Sequence, residues 1–507
     1  MLFNSYEFLF VFLPISLAGF FVLARIGTRF AAAWLGLASL GFYGFWNPKF
    51  VALLLASIAT NFAFGVLIGR QRAMRDAKPL LTIAVCANLA LLFYFKYANF
   101  FLDNVNTLSG WELNIGTVVL PLGISFFTFT QIAFLVDTYR GKADEADFIN
   151  YLLFVTFFPH LIAGPVLHHG QMMPQFRKVE TYRWNPQDVA KGAAIFIIGL
   201  AKKVLIADSL AEYATPVFNA VAQGQKLQFL EAWVGALAYT LQLYFDFSGY
   251  SDMAVGLALM FGIRIPINFN SPYKAASIIE FWRRWHITLS TFLRDYLYIP
   301  LGGSRRGELR RFLNLFVTMV LGGLWHGANW TFVVWGALHG ALLMANHGLH
   351  VVGIRLDRVQ GLWSMPLHVV ATALTFILVV YAWVFFRSDS IGNAWSIVQS
   401  MTLVHGISVT PTLAAHWPQI LSEGGFFPAT RLAGSSAVPL IAAGLTIVFF
   451  LPNSQELVLE TKQRWCRFIL RRADGEFGLR AGLALGCVLA VSIWSLTRAS
   501  EFLYFQF

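Results

Sequence analysis

The chain has 507 residues, of which 57% are hydrophobic and only 12% are charged, and its mean hydropathy is +0.62. A soluble domain carries about 25% charged residues, so this composition excludes a soluble protein and indicates a polytopic membrane protein. The net charge of +11 comes from short Lys and Arg patches between apolar segments, which is the positive-inside pattern and not that of a nucleic-acid-binding protein. Cys86, Cys466 and Cys487 have no metal-ligand spacing, so neither a zinc site nor a disulfide framework is expected.

Apolar runs follow one another along the chain and predict membrane helices, each of which needs about 20 apolar residues. The first run, residues 8–24, follows Glu7 and precedes Arg25, so it is interpreted as a retained helix with its N-terminus outside and not as a signal peptide. The further runs are residues 31–46, 50–69, 80–95, 120–139, 192–207, 229–261, 314–346, 367–386, 438–451 and 481–496. Basic loops at residues 70–78 and 462–480 are expected in the cytoplasm, which places both chain ends outside and makes the number of full crossings even.

Proline and glycine interrupt the apolar region 149–169. Pro159, Gly164 and Pro165 predict a bent or re-entrant element there. The neighbouring His168 and His169 diverge by about 100° on a helix, so a loop or interface role is expected for them, and not ligand binding.

Two carboxylates, Asp246 and Asp252, lie within the otherwise apolar run 229–261. They could form a catalytic acid and base pair. The alternative, which we favour, is that they hold backbone or arginine partners and shape the helix bundle.

An amphipathic helix is predicted before Pro300. Ser277 and Glu280 form a capping-box pattern, so the helix should begin at Ile278 and stop before Pro300. At about 100° per residue, one face carries large apolar side chains and another carries Arg283, His286, Ser290 and Arg294. The polar face could lie in lipid headgroups, as in an interfacial helix, or it could line an internal chamber for a phosphorylated or thioester ligand.

One histidine, His326, lies near the middle of the uncharged run 314–346 and is flanked by Gly322, Gly323 and Gly327. Glycines allow a membrane helix to break and allow another chain or a ligand to approach closely. Ionisable residues at membrane depth are costly and often mark function. We interpret His326 as the candidate site; the alternative is an imidazole that is satisfied by a neighbouring carbonyl.

Seven motifs carry a resemblance to a known family. They are LPLGISFFTF, FPHLIAGPV, GLAKKVLIAD, YFDFSGYSDMA, NFNSPYKAASIIEFWRRWHITLSTFLRDYLYIPLGG, GGLWHGANWTF and the ending FLYFQF. The sequence resembles the bacterial alginate O-acetylation branch of the membrane-bound O-acyltransferase superfamily along its length, as one domain of residues 1–507, most densely over residues 242–340. The resemblance implies an all-α polytopic membrane fold, with a ring of transmembrane helices and re-entrant and interfacial helices around a central tunnel.

The resemblance also implies a function. The superfamily's near-invariant histidine corresponds to His326 and a second conserved polar position to His286, so both are expected to be catalytic. The implied reaction takes acetyl from a cytoplasmic donor, acetyl-CoA, without a permanently bound cofactor or metal. It delivers acetyl across the inner membrane, through periplasmic partner proteins, for O-acetylation of an exported polysaccharide. Alginate is the expected polymer, and cellulose or another cell-surface polymer is the alternative.

The residues themselves agree with this chemistry. A hydroxyl is a poor nucleophile until its proton is removed, and a neutral imidazole is suited to remove it. The sequence has no G-x-S-x-G, H-E-x-x-H, P-loop or G-x-G-x-x-G motif. His326 is therefore expected to act as a base on a bound acceptor or, alternatively, to be acetylated itself, and the polar face of residues Arg283, Ser290 and Arg294 is expected to bind the donor. A polysaccharide or lipid transporter is a rival of another class, but it predicts repeats and a path of intramembrane charges that the sequence lacks.

Overall fold

The computed structural model describes residues 1–71, 77–143, 147–351, 364–402, 404, 407–409, 426–428, 437–460, 478–498 and 503. Most of the two predicted basic loops lies outside the described residues, as does Cys466. Regular structure in the described part is helical apart from one short pair of parallel strands, β1 (Ile407–Val409) and β2 (Phe426–Pro428). The all-α prediction is confirmed.

Ten α-helices are described up to residue 201. They are α1 (Leu13–Ala24), α2 (Thr28–Gly44), α3 (Lys49–Gln71), α4 (Ala77–Leu92), α5 (Ala98–Ser109), α6 (Ile124–Tyr139), α7 (Phe148–Thr156), α8 (Phe158–Leu161), α9 (His169–Phe176) and α10 (Pro186–Ala201). The π-helical turns Phe8–Phe12 and Phe93–Tyr97 continue directly into α1 and α5.

Ten more α-helices are described in the rest of the chain. They are α11 (Asp208–Ala222), α12 (Phe229–Met260), α13 (Ile278–Arg284), α14 (Ile287–Leu293), α15 (Glu308–His326), α16 (Trp330–Val351), α17 (Ser364–Arg387), α18 (Ile391–Ser400), α19 (Ala437–Phe450) and α20 (Leu479–Trp494). The π-helical segment Lys202–Ala207 precedes α11, and Arg294–Tyr298 follows α14.

Several described helices are long and apolar enough to cross a membrane. They are Lys49–Gln71, Ala77–Ser109, Trp330–Leu349 and Ser364–Arg387, and shorter apolar helices lie at Phe8–Ala24, Ala437–Phe450 and Leu479–Trp494. The helix predicted over residues 80–95 extends to Ser109. Its polar end is helical, and the side chains of Asn104, Thr107 and Ser109 are satisfied within it, because they donate to the carbonyl oxygens four residues earlier, at 2.6 to 2.7 Å. The prediction of a polytopic membrane protein is confirmed.

The chain forms two compact units. The first comprises Met1–Leu200, Tyr250–Asn268 and Ser454–Leu496. The second comprises Ala201–Gly249, Phe269–Asn453 and Thr497–Phe507. All of the predicted site residues belong to the second unit.

Buried polar side chains pair across the packed helices of the first unit. Asn61 of α3 and Asn88 of α4 exchange two amide hydrogen bonds, at 2.6 and 3.2 Å, and Gln131 of α6 donates to the Ser57 hydroxyl of α3 at 3.0 Å. Polar groups that are buried in an apolar medium are costly unless they are paired. These pairs therefore fix the positions of α3, α4 and α6 along one another.

The interrupted region 149–169 folds as short pieces, as its prolines and glycine predict. Helix α7 ends at Thr156, the four-residue helix α8 follows, and α9 begins at His169. At Gly123, where φ is +72°, a Cβ would lie 2.7 Å from the carbonyl oxygen of Leu161. Only glycine therefore allows the start of α6 to approach this break.

The two carboxylates of α12 have different partners. In the second unit, Asp246 forms an ion pair with Lys203, whose Nζ lies 2.8 Å from one carboxylate oxygen. In the first unit, Asp252 accepts hydrogen bonds from the Ser454 hydroxyl at 2.5 Å and the Gln455 side-chain amide at 2.6 Å. Asp246 also has a backbone partner of the kind predicted, the Leu503 N–H at 3.2 Å. These contacts support the structural interpretation of both carboxylates, with a lysine and neutral side chains in place of an arginine.

Candidate active site

A hairpin of α15 and α16 carries His326. Helix α15 ends at His326 and residues 327–329 lead into α16. The two helices cross closely, since a Cβ on Gly323 would overlap the carbonyl oxygen of Phe332. The break predicted at His326 is confirmed.

Gly327 in the link between α15 and α16 is required because it has no side chain, and not because of its backbone conformation. Gly327 has φ −161° and ψ 150°, which are extended values that any residue adopts. A Cβ at this position, however, would overlap the ring of Phe332. The Asn329 side chain then caps α16, because it accepts a hydrogen bond from the Thr331 N–H and donates one to the Asp389 carbonyl oxygen, both at 3.0 Å. These contacts fix how the chain turns from α15 into α16.

Aromatic rings surround the imidazole of His326, which is buried. The ring centroids of Trp325, Trp335 and Phe386 lie 5.0, 5.2 and 5.2 Å from it, with interplanar angles of 73°, 89° and 73°. Trp335 is itself stacked on Trp383 at 5.6 Å. Edge-to-face packing of this kind is favourable, and it fixes the plane of the imidazole.

A second break in the chain lies at His286. Helix α13 ends at Arg284 and α14 begins at Ile287, and His286 between them has φ +43°. This left-handed backbone is uncommon outside glycine, although Asn, Asp and His adopt it more readily than other residues. The continuous helix predicted from Ile278 to before Pro300 is therefore wrong.

The start of α13 forms the N-cap half of the predicted capping box, while the Glu280 side chain binds one residue earlier than a capping box requires. The Ser277 hydroxyl accepts a hydrogen bond from the Glu280 N–H at 3.2 Å, and the Glu280 carboxylate accepts one from the Ala276 N–H at 2.9 Å. The same carboxylate pairs with Arg284 at 2.6 Å. The helix begins at Ile278 as predicted, and the ion pair stabilises its last turn just before the break.

The break brings the two predicted catalytic histidines together. The ring centroids of His286 and His326 are 6.3 Å apart, and the ring planes are nearly perpendicular, at 82°. His286 is 1% exposed, and its ring lies 4.7 Å from that of Phe247. Burial lowers the pKa of His286 to about 3, so its imidazole is neutral at pH 7. The individual roles of the two histidines remain a prediction.

The break at His286 divides the predicted donor-binding residues, since Arg283 lies in α13 before it and Ser290 and Arg294 lie in the helical segment after it. Arg283 and Arg294 are exposed, and Arg294 pairs with the Asp295 carboxylate at 2.7 and 3.0 Å. The Ser290 hydroxyl donates to a backbone carbonyl oxygen at 3.4 Å. The predicted continuous face is therefore wrong for Arg283, because the regular rotation that defines a helix face is lost between Arg283 and His286. The part of these residues in donor binding stays a prediction.

Sequence reasoning misses a third histidine of the second unit. His339 of α16 is fully buried, its Nδ1 accepts a hydrogen bond from the Trp282 indole at 3.3 Å, and its ring lies 4.8 Å from that of Trp335. One indole therefore separates His339 from His326. The sequence does contain a signal for it, because His339 lies in the same uncharged run as His326 and four residues after Trp335. This spacing places His339 and Trp335 on one face of a helix.

The side chains of this site are suited to proton transfer. Among the described residues, no group of three or more His, Cys, Asp or Glu side chains is placed to hold a metal ion. An imidazole can take the proton of a hydroxyl, and buried aromatic surroundings exclude the water that would compete for an acyl group. The arrangement therefore fits group transfer between two substrates better than hydrolysis.

Known proteins match the chain over the region that contains both histidines and beyond it. A family model described as MBOAT, membrane-bound O-acyltransferase family, matches residues 138–352. The peptidoglycan O-acetyltransferase of Helicobacter pylori is 40% identical over 498 residues, which cover 92% of this chain and 92% of that protein. The probable alginate O-acetylase AlgI of Pseudomonas putida is 41% identical over 528 residues and is matched over 100% of both chains. The teichoic acid D-alanyltransferase of Bacillus subtilis is 30% identical over 234 residues, which cover 44% of this chain and 58% of that protein.

The family match and the two long alignments agree with the buried histidine pair in an apolar helical protein. This chain is an acyltransferase that belongs to the membrane-bound O-acyltransferase family.

Proposed function

We propose that this protein takes acetyl from cytoplasmic acetyl-CoA and delivers it across the inner membrane for the O-acetylation of an exported polysaccharide. The observation that carries the proposal is the buried pair of His286 and His326, which lie where two helices of an acyltransferase are interrupted. Their ring centroids are 6.3 Å apart. Acetyl is the proposed group because two relatives, aligned over 92% and 100% of the chain, are named as O-acetylating proteins. Periplasmic partner proteins are the proposed recipients of the group on the outer side.

The helix ends distinguish the two histidines. His326 is the last residue of the 19-residue helix α15, where the negative end of the helix dipole favours a cation by about 0.3–1 kcal/mol. His286 directly precedes α14 at its positive end, which disfavours a cation. His326 is therefore the better proton acceptor, and His286 is suited to orient a substrate as a neutral ring.

The proposed reaction is a direct transfer from a thioester to a hydroxyl. An imidazole nitrogen of His326 takes the hydroxyl proton while the hydroxyl oxygen attacks the carbonyl carbon of the thioester. The carbon–sulfur bond then breaks, and the departing CoA thiolate takes the proton from the imidazolium, which regenerates the neutral histidine. The hydroxyl belongs to a sugar or to a serine of a periplasmic partner that relays the acetyl group. An acetyl-imidazole on His326 is the alternative route.

The exposed arginines are retained as donor-binding candidates. Guanidinium groups bind phosphate oxygens well, and acetyl-CoA carries its phosphates at the end remote from the thioester. Arg283 and Arg294 could therefore bind that end without approaching the histidines, with Ser290 between them in sequence. Alanine at Arg283 should raise the donor concentration needed for half-maximal transfer and leave the maximal rate nearly unchanged.

The polymer is proposed from the relatives. Alginate is the first candidate, because the relative aligned over all of this chain is named a probable alginate O-acetylase. Another cell-surface polymer is the second candidate, because a relative of similar identity is named a peptidoglycan O-acetyltransferase. Ester acetate measured on each polymer of the cell, cellulose included, in strains with and without the gene distinguishes these candidates.

The variant His326→Ala tests the proposed base. Its transfer rate should fall about 100-fold to 10,000-fold while its level in the membrane stays normal. The variant His286→Ala should need more donor and lose less activity at saturating donor. Wild-type ester acetate in a normally expressed His326→Ala strain would contradict the assignment, and a larger loss in His286→Ala at saturating donor would exchange the two roles.

A further inference from the structure

His339 is hydrogen-bonded through one ring nitrogen, and this bond determines where its proton lies. Its Nδ1 accepts a hydrogen bond from the indole N–H of Trp282 at 3.3 Å. A ring nitrogen that accepts carries no proton, so the neutral ring keeps its single proton on Nε2. The imidazolium form is incompatible with this bond, since both of its nitrogens are donors. Trp282 therefore makes Nε2 of His339 an N–H donor.

This donor is buried, and the part of the chain that the structure describes offers it no acceptor. His339 is 0% exposed and its Nε2 has no hydrogen-bond partner there. Trp335, on the same face of α16, is 1% exposed, and its indole nitrogen likewise has no partner within the described residues. Buried donors are paired in the great majority of cases, so two neighbouring ones without acceptors need a physical reason.

Both donors lie next to the proposed base. The Trp335 ring centroid is 4.8 Å from that of His339 and 5.2 Å from that of His326. The other rings around His339 belong to Trp282 at 5.1 Å and to Phe281 and Trp383, each at 6.1 Å, and aromatic faces are weak acceptors. The two donors therefore match a ligand atom that only accepts, such as a carbonyl oxygen, better than a hydroxyl, which would bring a proton of its own.

We propose that Nε2–H of His339 and the indole N–H of Trp335 bind the carbonyl oxygen of the acyl donor. The carbon–oxygen π pair moves onto this oxygen when the hydroxyl attacks, and it returns when the carbon–sulfur bond breaks. Donors fixed in a water-free site stabilise such a charge strongly. This inference rests on the reaction proposed above and adds His339 to it as a catalytic residue.

Two substitutions separate donation by His339 from a structural role. Glutamine can supply an amide N–H near the position of Nε2, whereas leucine fills a similar volume without a donor. The rate of acetylation per folded molecule should fall about 100-fold to 1,000-fold in His339→Leu. The rate in His339→Gln should be about 10-fold higher than in His339→Leu. A wild-type rate in His339→Leu would overturn the proposal, and so would equal losses in the two variants.

A matched control comes from a buried histidine of the first unit. Nε2 of His160 is hydrogen-bonded to the Phe154 carbonyl oxygen at 2.9 Å, and His160 is 3% exposed. His160→Leu should lower the thermal unfolding midpoint but leave the rate per folded molecule unchanged. If His339→Leu follows this same pattern, its role is structural and the proposal fails.

Donor analogues provide a readout that does not need turnover. The carba(dethia) analogue of acetyl-CoA keeps the carbonyl group but replaces the thioester sulfur by a methylene, and S-ethyl-CoA lacks the carbonyl. The wild type should bind the carbonyl analogue about 3- to 10-fold more tightly, and His339→Leu should bind the two equally. A preference retained in His339→Leu would overturn the proposal. If the wild type binds neither analogue, the proposed donor is wrong, and the comparison of leucine with glutamine then decides the role of His339 alone.

Discussion

Replacement of Lys203 by methionine should strongly destabilise the second unit. The Lys203 side chain is 3% exposed, and its Nζ lies 2.6 Å from an Asp208 carboxylate oxygen and 2.8 Å from one of Asp246. Methionine keeps an unbranched side chain but removes the cation, so both carboxylates stay buried without it. Loss of one partner from a buried ion pair costs about 3–5 kcal/mol, which is a large part of the about 5–15 kcal/mol that stabilises most native proteins.

The thermal unfolding midpoint in detergent and the amount of protein in the membrane measure this loss. The control is the triple variant Lys203→Met, Asp208→Asn, Asp246→Asn, which removes the whole charged cluster. Asparagine at position 246 can still accept the hydrogen bond that the Leu503 N–H donates to Asp246 at 3.2 Å. Neutral replacement of a complete buried ion cluster is often close to neutral in stability, so the triple variant should recover most of the loss. A wild-type midpoint for Lys203→Met, or a triple variant as unstable as the single one, would refute the reasoning.

Three further predictions concern space, pH and topology. Gly327→Ala should lower the rate of acetyl transfer about 100-fold, because the added Cβ would overlap the ring of Phe332. Gly482→Ala is the control and should keep wild-type activity, because no atom from elsewhere in the described part of the chain lies within 4 Å of the position of its Cβ. Equal activities of the two variants would contradict the requirement for space at Gly327. Burial lowers the pKa of His286 to about 3, so below about pH 6.5 the unfolded chain binds a proton that the folded protein does not, and the stability of the folded protein falls as the pH falls. His286→Asn should therefore reduce the drop in the thermal unfolding midpoint between pH 7 and pH 4. An unchanged drop would argue against this role of His286. In a variant without native cysteines, a membrane-impermeant thiol reagent on whole cells should label a cysteine at the exposed position Glu7 and spare one at the exposed position Lys78; the opposite pattern would invert the topology.

Helix ends that depend on a few neighbouring residues could be predicted from the sequence. Ser277 and Glu280 located the start of α13, because an N-cap joins a side-chain oxygen to the backbone N–H three residues later. The glycines around His326 located the end of α15, because close packing excludes a Cβ there. The end of α5 was missed, because the polar residues near Ser109 resemble a loop in composition and yet bond within their own helix.

Contacts between distant residues could not be predicted in the same way. Lys203 meets Asp246 from another helix, and Trp282 meets His339 across a separation of 57 residues. Hydrophobic periodicity indicates which face of a helix is buried, but not which partner lies opposite a particular side chain. The interpretation of Asp246 as a structural carboxylate was therefore supported, while its lysine partner was not predicted.

The break at His286 shows how a local rule and a tertiary contact can disagree. No glycine or proline lies between Ile278 and Ile299, so the sequence predicts an uninterrupted helix. The left-handed backbone at His286 costs roughly 1–2 kcal/mol for a residue with a Cβ, and a helix continued through it would avoid that strain. The free energy that compensates for this strain must therefore come from contacts that the break allows. The observed contacts are those of the buried His286 ring with the rings of Phe247 and His326. Strain that local sequence does not require, at a residue whose ring meets the predicted base, is the pattern expected of a functional position and not of a packing defect.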